Sequence, residues 1–477
     1  MVPVETIIQQ IGTDFIEKVL ENLRNSEIVS IGNTAQQLFY IAKLSTLEIL
    51  VAVIEQMDMA LVEANRERKT DGLRIKQRNV SRALLTDLGE LRYKRTYFEA
   101  KGGERYYLLD YLIGVEAYER LSKELCANLV QHAADKSMEK AAKDVGAAVS
   151  RQTINNKVLS LKQVAVDGVR VEQTPKELHI FADEDHVHMR SGRGAIVPLL
   201  TVTEGIDTTT NRHKTINAVH FKGYGIKNDN FFENVSSFLN DKYDMDKTER
   251  VYVHADGGAW IQAAKDWFPN VRFVMDGYHL QKRLKRIAGL KGAAPYMRSL
   301  KKAIEKDDFE QFVRCCARID AMQDDKGREV LGDNINFIQN NWEAIVLRMK
   351  GDVCGSCTEP LVSHVLSARL SRNPLAWSEH GIRQMAMVRV YVKNGGVICA
   401  SDVRVSRKET DLKSDSEAFK KGFSKYRAYA DKQIGAFLKN KIDWSMFERS
   451  NTRTGKIDGT RMLIKAYSRV NDTTASS

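Results

Sequence analysis

The stretch Arg250-Val-Tyr-Val-His-Ala-Asp256 is a short, largely apolar run that ends in an aspartate. Two further stretches have the same form, Glu177-Leu-His-Ile-Phe-Ala-Asp183 and Val271-Arg-Phe-Val-Met-Asp276. Runs of this length and composition predict buried strands. Two more strands are predicted at residues 195–202 and near 216–221, and helical patterns follow at 228–239, 259–268 and 278–290. Three strands followed by strand–helix alternation indicate a mixed sheet with helices on its faces.

The pattern changes several times along the chain, and we predict an α+β multidomain protein. The regions are an N-terminal helical region (1–80), a β-hairpin with a helix-turn-helix (81–170), the first part of the sheet domain (171–292), a helical insertion (293–350), the end of the sheet domain with a late helix (351–400) and a basic C-terminal region (401–477).

The composition narrows the class of protein. The 477 residues are 43% hydrophobic and 28% charged, with a net charge of +11, which favours an anionic partner such as nucleic acid. We expect no membrane-spanning helix, because the most apolar run, residues 44–54, is short and contains Glu48. Cys354 and Cys357 form a lone C-x-x-C without a second cysteine pair or an H-x(3–5)-H pair, so reduced cytoplasmic thiols are favoured over a zinc site.

A helix-turn-helix is predicted at residues 137–159. A short helix ends near Gly146, and a second helix begins after Ser150, a residue type that caps helix N-termini. The second helix of such a motif inserts its N-terminal side chains into the major groove. The polar residues able to contact base edges there are Arg151, Gln152, Thr153, Asn155 and Asn156. A plain helical hairpin remains the alternative.

The three acids that follow predicted strands suggest a metal site. Asp183, Asp256 and Asp276 would gather at one edge of the sheet, where carboxylates repel one another unless a cation lies between them. Oxygen-only ligands suit Mg²⁺ or Mn²⁺, and two such ions can activate a water or a 3′-hydroxyl at a phosphodiester. The alternative for each acid is that it caps the helix after its strand.

Four segments resemble bacterial insertion-sequence transposases, in the branch related to Mutator-like elements that was long carried as an uncharacterised family. The segments are Ile180-Phe-Ala-Asp-Glu-Asp-His-Val187, Ala255-Asp-Gly-Gly-Ala-Trp-Ile261, Met275-Asp-Gly-Tyr-His-Leu280 and Glu359-Pro-Leu-Val-Ser-His-Val-Leu-Ser-Ala-Arg-Leu370. The resemblance extends over most of the chain. It implies an RNase-H-like catalytic domain with a D-D-E triad and two Mg²⁺ or Mn²⁺ ions.

The resemblance also assigns residues to the site. It implies Asp183, Asp256 and Glu359 as the catalytic and metal-binding acids, with Asp185 as a competitor for the first position. Strand alternation does not separate Asp183 from Asp185, because both point to the same face. The remaining assignments are Glu379 as a weaker third acid and the pair Asp276 and His279, from the D-x-x-H match, as supporting residues.

Spacing and charge agree with this interpretation. Asp256 and Glu359 are 103 residues apart, a gap that requires the inserted helical region, and Pro360 stands where the family has a glycine. Residues 277–303 contain eight bases and no acid, which favours contact with phosphates over a solvated face. The bases nearest the predicted site are Lys282, Arg283, Lys285 and Arg286.

The sequence therefore predicts a DNA transposase of the cytoplasm and nucleoid. It would bind the terminal inverted repeats of its element and target DNA, at least as a homodimer and without a membrane partner. Hydrolysis and strand transfer would depend on Mg²⁺. Two alternatives stay open: a non-catalytic DNA-binding protein derived from a transposase, and a metal-dependent nuclease of the same fold.

Overall fold

The structure is a computed structural model that describes residues 4–25, 30–209, 214–351, 353–355, 357–373 and 375–404. The predicted basic C-terminal region lies outside the described residues, apart from residues 401–404. The described residues form two compact units: one holds residues 4–82 and 92–117, and the other holds 83–91 and 118–404, with the gaps given above.

The first unit begins with helices and continues into a small sheet. Its elements are α1 (Val4–Asn25), α2 (Ile31–Glu63), α3 (Asn65–Thr70), β1 (Arg74–Thr86), β2 (Gly89–Glu99), β3 (Arg105–Tyr106) and α4 (Leu108–Leu112), with the tip of the β1–β2 hairpin in the second unit. The strand order is β1-β2-β3, so β2 pairs with both β1 and β3. Strand β1 was not predicted, because its exposed positions are largely basic or polar and hide the period-two pattern.

Helix α2 is the element closest in character to a membrane span. By length and composition alone it could cross a membrane, and it is the one helix among the described residues that could. Core helices of other proteins meet the same criterion, and α2 packs against α1. The apolar side chains that α2 leaves exposed include Phe39 and Tyr40.

The second unit opens with three helices. They are α5 (Lys123–Asp135), α6 (Met138–Val145) and α7 (Arg151–Leu159). Buried residues of all three belong to one apolar cluster, which also includes Val187 and Val197 from the sheet that follows. The predicted pair of helices at residues 137–159 is therefore present as α6 and α7.

A five-stranded mixed sheet forms the centre of the second unit. The strands and the helices between them are β4 (Glu177–His188), β5 (Gly194–Thr203), β6 (Ile206–Asp207), β7 (Lys214–Thr215), β8 (Val219–Lys222), α8 (Asn228–Lys242), β9 (Arg250–Ala255), α9 (Ala259–Gln262), α10 (Ala264–Trp267) and β10 (Val271–Met275). The order is β10-β9-β4-β5-β8; β9 and β10 run parallel to β4, and β5 runs antiparallel to both β4 and β8. The short strands β6 and β7 pair with each other.

Strand β4 corrects one prediction. It was expected to end at Asp183, but it continues to His188 because its pairing with β5 runs through His188 opposite Gly194. Only its parallel pairing with β9 stops earlier, at Phe181 opposite His254. Asp183 is therefore the first acid after the parallel pairing ends, although the strand itself runs on.

The rest of the second unit is helical: helices precede, form and follow the inserted region along the chain. After α11 (Gly277–Ala288) come the insertion helices α12 (Met297–Glu305), α13 (Phe309–Asp320), α14 (Asp325–Asn340) and α15 (Trp342–Lys350), then α16 (Thr358–Val362), a π-helical turn (Ser363–Ser367), α17 (Ala368–Leu370) and α18 (Glu379–Lys393). The insertion contributes Leu300, Phe312 and Ile345 to an apolar cluster that also contains Met275 of β10 and Leu280 of α11. The late helix was predicted, whereas the largely buried α18 was not.

Candidate functional site

Three aspartates lie at one level of three adjacent strands. Phe181 of β4 is opposite His254 of β9, and Met275 of β10 is opposite Ala255 of β9. Continuing each register by one or two residues brings Asp183, Asp256 and Asp276 to the same edge of the sheet. The predicted convergence of these acids follows from the strand registers.

Asp183 lies among charged neighbours. The pKa of its carboxyl is raised to about 6, mainly by burial and further by the charges of Asp256 and Glu359, against a lowering influence from His279. Its Oδ1 accepts a hydrogen bond of 2.8 Å from the backbone N–H of Glu184, which favours the ionised form. Asp183 is therefore within electrostatic reach of Asp256 and Glu359, the other two acids that the resemblance assigns.

Asp256 and Glu359 reach this edge from different elements. Asp256 directly follows β9, and its Oδ1 accepts a 2.9 Å hydrogen bond from the N–H of Gly258 across a turn in which Gly257 has φ +94°. Glu359 is the exposed second residue of α16, a helix that packs against β4. Pro360 follows within the first helical turn, where a proline costs no helical hydrogen bond.

Asp185 is held by the late helix rather than by the acidic group. It is 5% exposed, and its Oδ1 accepts hydrogen bonds from Ser367 Oγ at 2.9 Å and Ser371 Oγ at 2.7 Å. Its Oδ2 is buried without a hydrogen-bond partner in the described part of the chain. Asp185 thus links β4 to the segment that follows Glu359, and the environment of Asp183 favours Asp183 as the first acid.

Asp276 caps a helix, as the alternative for these acids anticipated. Its Oδ2 accepts from the backbone N–H groups of Tyr278 and His279, at 2.9 and 3.2 Å, and lies 3.2 Å from His279 Nδ1. This hydrogen bond raises the pKa of His279, and the charges of Asp276, Asp256 and Asp183 raise it further. His279 is therefore oriented by Asp276 within electrostatic reach of two of the proposed metal-binding acids.

Glu379 lies in a different environment. It is the first residue of α18, its side chain is exposed, and its carboxylate is 3.6 Å from Arg383. Burial raises the pKa of Tyr224, and the charge of Glu379 raises it further. The structure gives no link from Glu379 to Asp183 in the described residues, so Glu359 is the better candidate for the third acid.

The α6–α7 pair has the termini predicted for it. Ser137 and Ser150 cap the two helices by accepting from Lys140 N and Thr153 N, at 3.2 and 3.1 Å, and α6 ends at Gly146 with φ +70°. Buried Ile154 and Val158 are on the inner side of α7. The candidate base-reading residues differ in their exposure to solvent. Arg151, Gln152 and Asn156 are exposed, whereas Thr153 and Asn155 are partly buried. The Gln152 side chain also donates a 2.7 Å hydrogen bond to Asn156 Oδ1.

The basic helix α11 begins beside the acidic edge. Lys282, Lys285 and Arg286 are exposed, whereas Arg283 is partly buried with its guanidinium 4.4 Å from the centre of the Phe337 ring. Three of the four predicted phosphate contacts are thus open to solvent, and Arg283 also packs against the insertion.

A cleft of about 490 Å³ lies next to Glu359. Its lining includes Asp276, Tyr278, Arg348 and Glu359. Arg348 comes from α15 in the insertion, and its Nη1 lies 3.4 Å from the carbonyl oxygen of Cys354. This cation was not predicted, because nothing in the sequence relates α15 to the acids.

A cluster of two histidines and a cysteine was also missed. His179, His254 and Cys354 bring their ligand atoms within 4.8 Å of one another, and they are the one such group among the described residues. Burial lowers the pKa of His179 to about 4 and that of His254 to about 3, and it raises the pKa of Cys354 to about 11. The available signal was the C-x-x-C pair together with one histidine in each of two parallel strands.

Comparison with known proteins identifies the family. Residues 24–409 match the model of an uncharacterised protein family, UPF0236. UPF0236 protein TTE2489 of Caldanaerobacter subterraneus subsp. tengcongensis is 33% identical over 355 residues, which cover 73% of this chain and 76% of the relative. Another relative from that organism, whose name joins eleven locus designations, is 32% identical over 355 residues, or 73% and 75% of the two chains. A UPF0236 protein of Streptococcus gallolyticus, named for the vanSb 3′ region, is 23% identical over 366 residues, or 72% and 79%. The chain belongs to the UPF0236 family.

Proposed function

We propose that this protein is a DDE-type DNA transposase that binds the terminal inverted repeats of its element, cuts the DNA and joins it to a target. The observation that carries the proposal is the electrostatic environment of Asp183. Two acids distant in the chain, Asp256 and Glu359, act on its pKa, so both carboxylates lie within electrostatic range of Asp183.

The donor set fits hard divalent cations. Carboxylate oxygens are the ligands that suit Mg²⁺ and Mn²⁺, and a cation relieves the repulsion that raises the pKa of Asp183. The three acids do not form a group with all ligand oxygens within 4.8 Å among the described residues. Two ions about 3.5–4 Å apart would accommodate this wider spacing.

The chemistry would divide between the ions and the protein. When bound, the ions would supply an activated water or 3′-hydroxyl and would stabilise the leaving oxygen of the phosphodiester. Asp183, Asp256 and Glu359 would hold them, Asp276 would orient His279 beside the acids, and Arg348 would offer a positive charge to a phosphate in the adjoining cleft.

The strand order supports an RNase-H-like catalytic domain. The first strand, β4, is central, with antiparallel β5 and β8 on one side and parallel β9 and β10 on the other. That is the order of an RNase-H-like sheet, in which the first and fourth strands carry neighbouring acids. Here those acids are Asp183 and Asp256.

DNA contact would come from two surfaces. Helix α7, as the second helix of a helix-turn-helix, would present Arg151, Gln152 and Asn156 to base edges. The exposed bases of α11 would neutralise phosphates near the acids. Two DNA ends must be held for transposition, so we expect at least a homodimer on DNA, in the cytoplasm and nucleoid.

The name of one relative agrees with a mobile element. Eleven locus designations are joined in that name, and a gene present at many loci is what an element that moves and multiplies would leave in a genome. This supports a transposase over a protein that only occupies DNA sites.

The test is a cleavage and joining assay. The purified chain is incubated with labelled DNA taken from either side of its gene, a target plasmid and Mg²⁺ or Mn²⁺. We expect metal-dependent nicking at the end sequences and a joined product. Asp256→Asn keeps the oxygen that accepts from Gly258 N and should bind DNA without cutting it, whereas Asp266→Asn, at an exposed acid on α10, should retain both steps.

The alternatives give different results. Metal-dependent nicking without joined product would indicate a nuclease. DNA binding without cleavage by the wild-type protein would indicate a non-catalytic binder. Cleavage by the Asp256→Asn variant would refute the assignment of the site.

A further inference from the structure

Three side chains from distant segments meet inside the second unit. His179 lies on β4, His254 lies on β9, and Cys354 precedes α16. His179 Nδ1 is 3.1 Å from His254 Nε2 and 3.1 Å from Cys354 Sγ, and Cys354 Sγ is 3.9 Å from His254 Nε2. His254 is fully buried and His179 is 5% exposed, whereas Cys354 is partly exposed, so the two imidazoles are shielded from water.

Hydrogen bonds alone do not satisfy this arrangement. An imidazole nitrogen has one in-plane position, which is either an N–H or a lone pair, so His179 Nδ1 can serve only one of its two neighbours at a time. The remaining contact, between Cys354 Sγ and His254 Nε2, is long at 3.9 Å, so one polar atom is poorly paired, which is costly in the protein interior. The other ring nitrogen of His254, Nδ1, is also buried without a hydrogen-bond partner in the described residues.

The dimensions of the triangle suit a metal ion. The three distances of 3.1, 3.1 and 3.9 Å place one point about 2.0 Å from all three atoms, and zinc takes histidine nitrogen at about 2.0–2.1 Å and cysteine sulfur at about 2.3 Å. A small displacement of the ion out of the plane and away from the sulfur brings all three distances into these ranges and leaves a fourth position free.

We propose that His179, His254 and Cys354 bind one Zn²⁺ ion. Two imidazoles and a thiolate are ligands that select zinc over Mg²⁺, so this site differs in chemistry from the carboxylate group. The site combines one cysteine of the C-x-x-C pair, Cys354, with one histidine from each of two neighbouring strands, and Cys357 lies outside this group.

The position of the site gives it a structural role. Cys354 lies five residues before Glu359, while His179 and His254 lie on the strands that lead to Asp183 and Asp256. The ion would fasten the segment with the third acid to the strands with the other two, a consequence that rests on the proposed function. Zinc binding itself does not depend on that function.

The experiment measures metal content in the full chain. The protein is produced in zinc-supplemented medium with a histidine-free tag, purified under reducing conditions without chelators, and analysed by mass spectrometry for metals. We expect about one zinc per chain, and at least a tenfold loss of occupancy in His254→Asn and Cys354→Ser. The matched controls are His186→Asn, at an exposed histidine on β4, and Cys399→Ser, at an exposed cysteine, and both should keep the wild-type content.

A second measurement covers variants that fail to fold. In the wild-type chain, alkylation mapped by mass spectrometry should leave Cys354 protected when zinc is bound and reactive after chelation, while Cys399 reacts in both states. Replacement of zinc by Co²⁺ should give a thiolate charge-transfer band. Wild-type protein without stoichiometric zinc, or full zinc content in Cys354→Ser, would overturn the proposal, and neither result bears on the cleavage assay.

Discussion

Replacing Asp183 by asparagine should stabilise the metal-free protein at alkaline pH. The fold raises the pKa of this carboxyl from its ordinary value of 3.8 to about 6, through burial and the charges of Asp256 and Glu359. The ionised form is therefore less stable in the folded protein than in the unfolded chain. Asparagine resembles the neutral acid and keeps the oxygen that accepts from Glu184 N.

The magnitude follows from the two pKa values. Each pH unit between them corresponds to about 1.4 kcal/mol, which gives roughly 3 kcal/mol above pH 7. Because the carboxyl is partly exposed, we reduce this to about 2 kcal/mol for solvent screening. For a unit of this size, that corresponds to a rise of roughly 4 °C in the melting temperature.

The sign of the pH dependence is fixed by linkage. Between pH 3.8 and about 6 the folded protein binds more protons at Asp183 than the unfolded chain does, so this contribution to stability is lost as the pH rises through that window. The gain in the variant should therefore be present at pH 8 and nearly absent at pH 4.

Scanning calorimetry in chelator-treated buffer at both pH values provides the assay. Asp266→Asn serves as the control. This aspartate is exposed on α10, so the variant protein should have the melting temperature of the wild type. An unchanged melting temperature for Asp183→Asn at pH 8, or an equal rise at both pH values, would refute the reasoning that burial and neighbouring charges destabilise the ionised form of Asp183.

Three further predictions concern other parts of the second unit. Asp276→Ala removes a helix cap and should cost about 1 kcal/mol, and it should lower the pKa of His279 in an NMR titration; an unchanged His279 pKa would contradict this. Ile154→Ala empties a fully buried position of α7 and should destabilise the unit by roughly 2–5 kcal/mol in chemical denaturation, so a loss under 1 kcal/mol would count against the packing described here. The last concerns the exposed bases of α11, which are Lys282, Lys285 and Arg286. Changing all three to alanine should lower the slope of log affinity for DNA against log salt by up to about 3, and an unchanged slope would place DNA elsewhere.

The strands and the acids could be predicted because their signals are local. An apolar run followed by an aspartate is visible in Arg250-Val-Tyr-Val-His-Ala-Asp256, and parallel strands align their ends, so convergence followed from topology alone. The extension of β4 to His188 was not predicted, because residues 184–188 are mostly polar and are kept in the strand by pairing with β5.

Other features depend on tertiary contacts that leave no local pattern. His179 and His254 lie 75 residues apart and meet Cys354 only because β4 and β9 are neighbours. Ser367 and Ser371 look like ordinary helix residues until they are seen to hold Asp185. Conversely, the assignment of Glu359 as the third acid came from the resemblance to a family, because spacing alone did not single it out; the structure places this residue at the head of α16.

The π-helical turn at Ser363–Ser367 fixes the phase of the late helix. Glu359 lies before this turn and Ser371, a partner of Asp185, lies after it. A π turn contains one residue more than an α turn, and each residue rotates a helix by about 100° and advances it by about 1.5 Å. Deleting one residue from the turn would therefore rotate Glu359 by about a quarter of a revolution around the helix axis, relative to Ser371. The turn thus determines the direction in which the Glu359 carboxylate points from the helix.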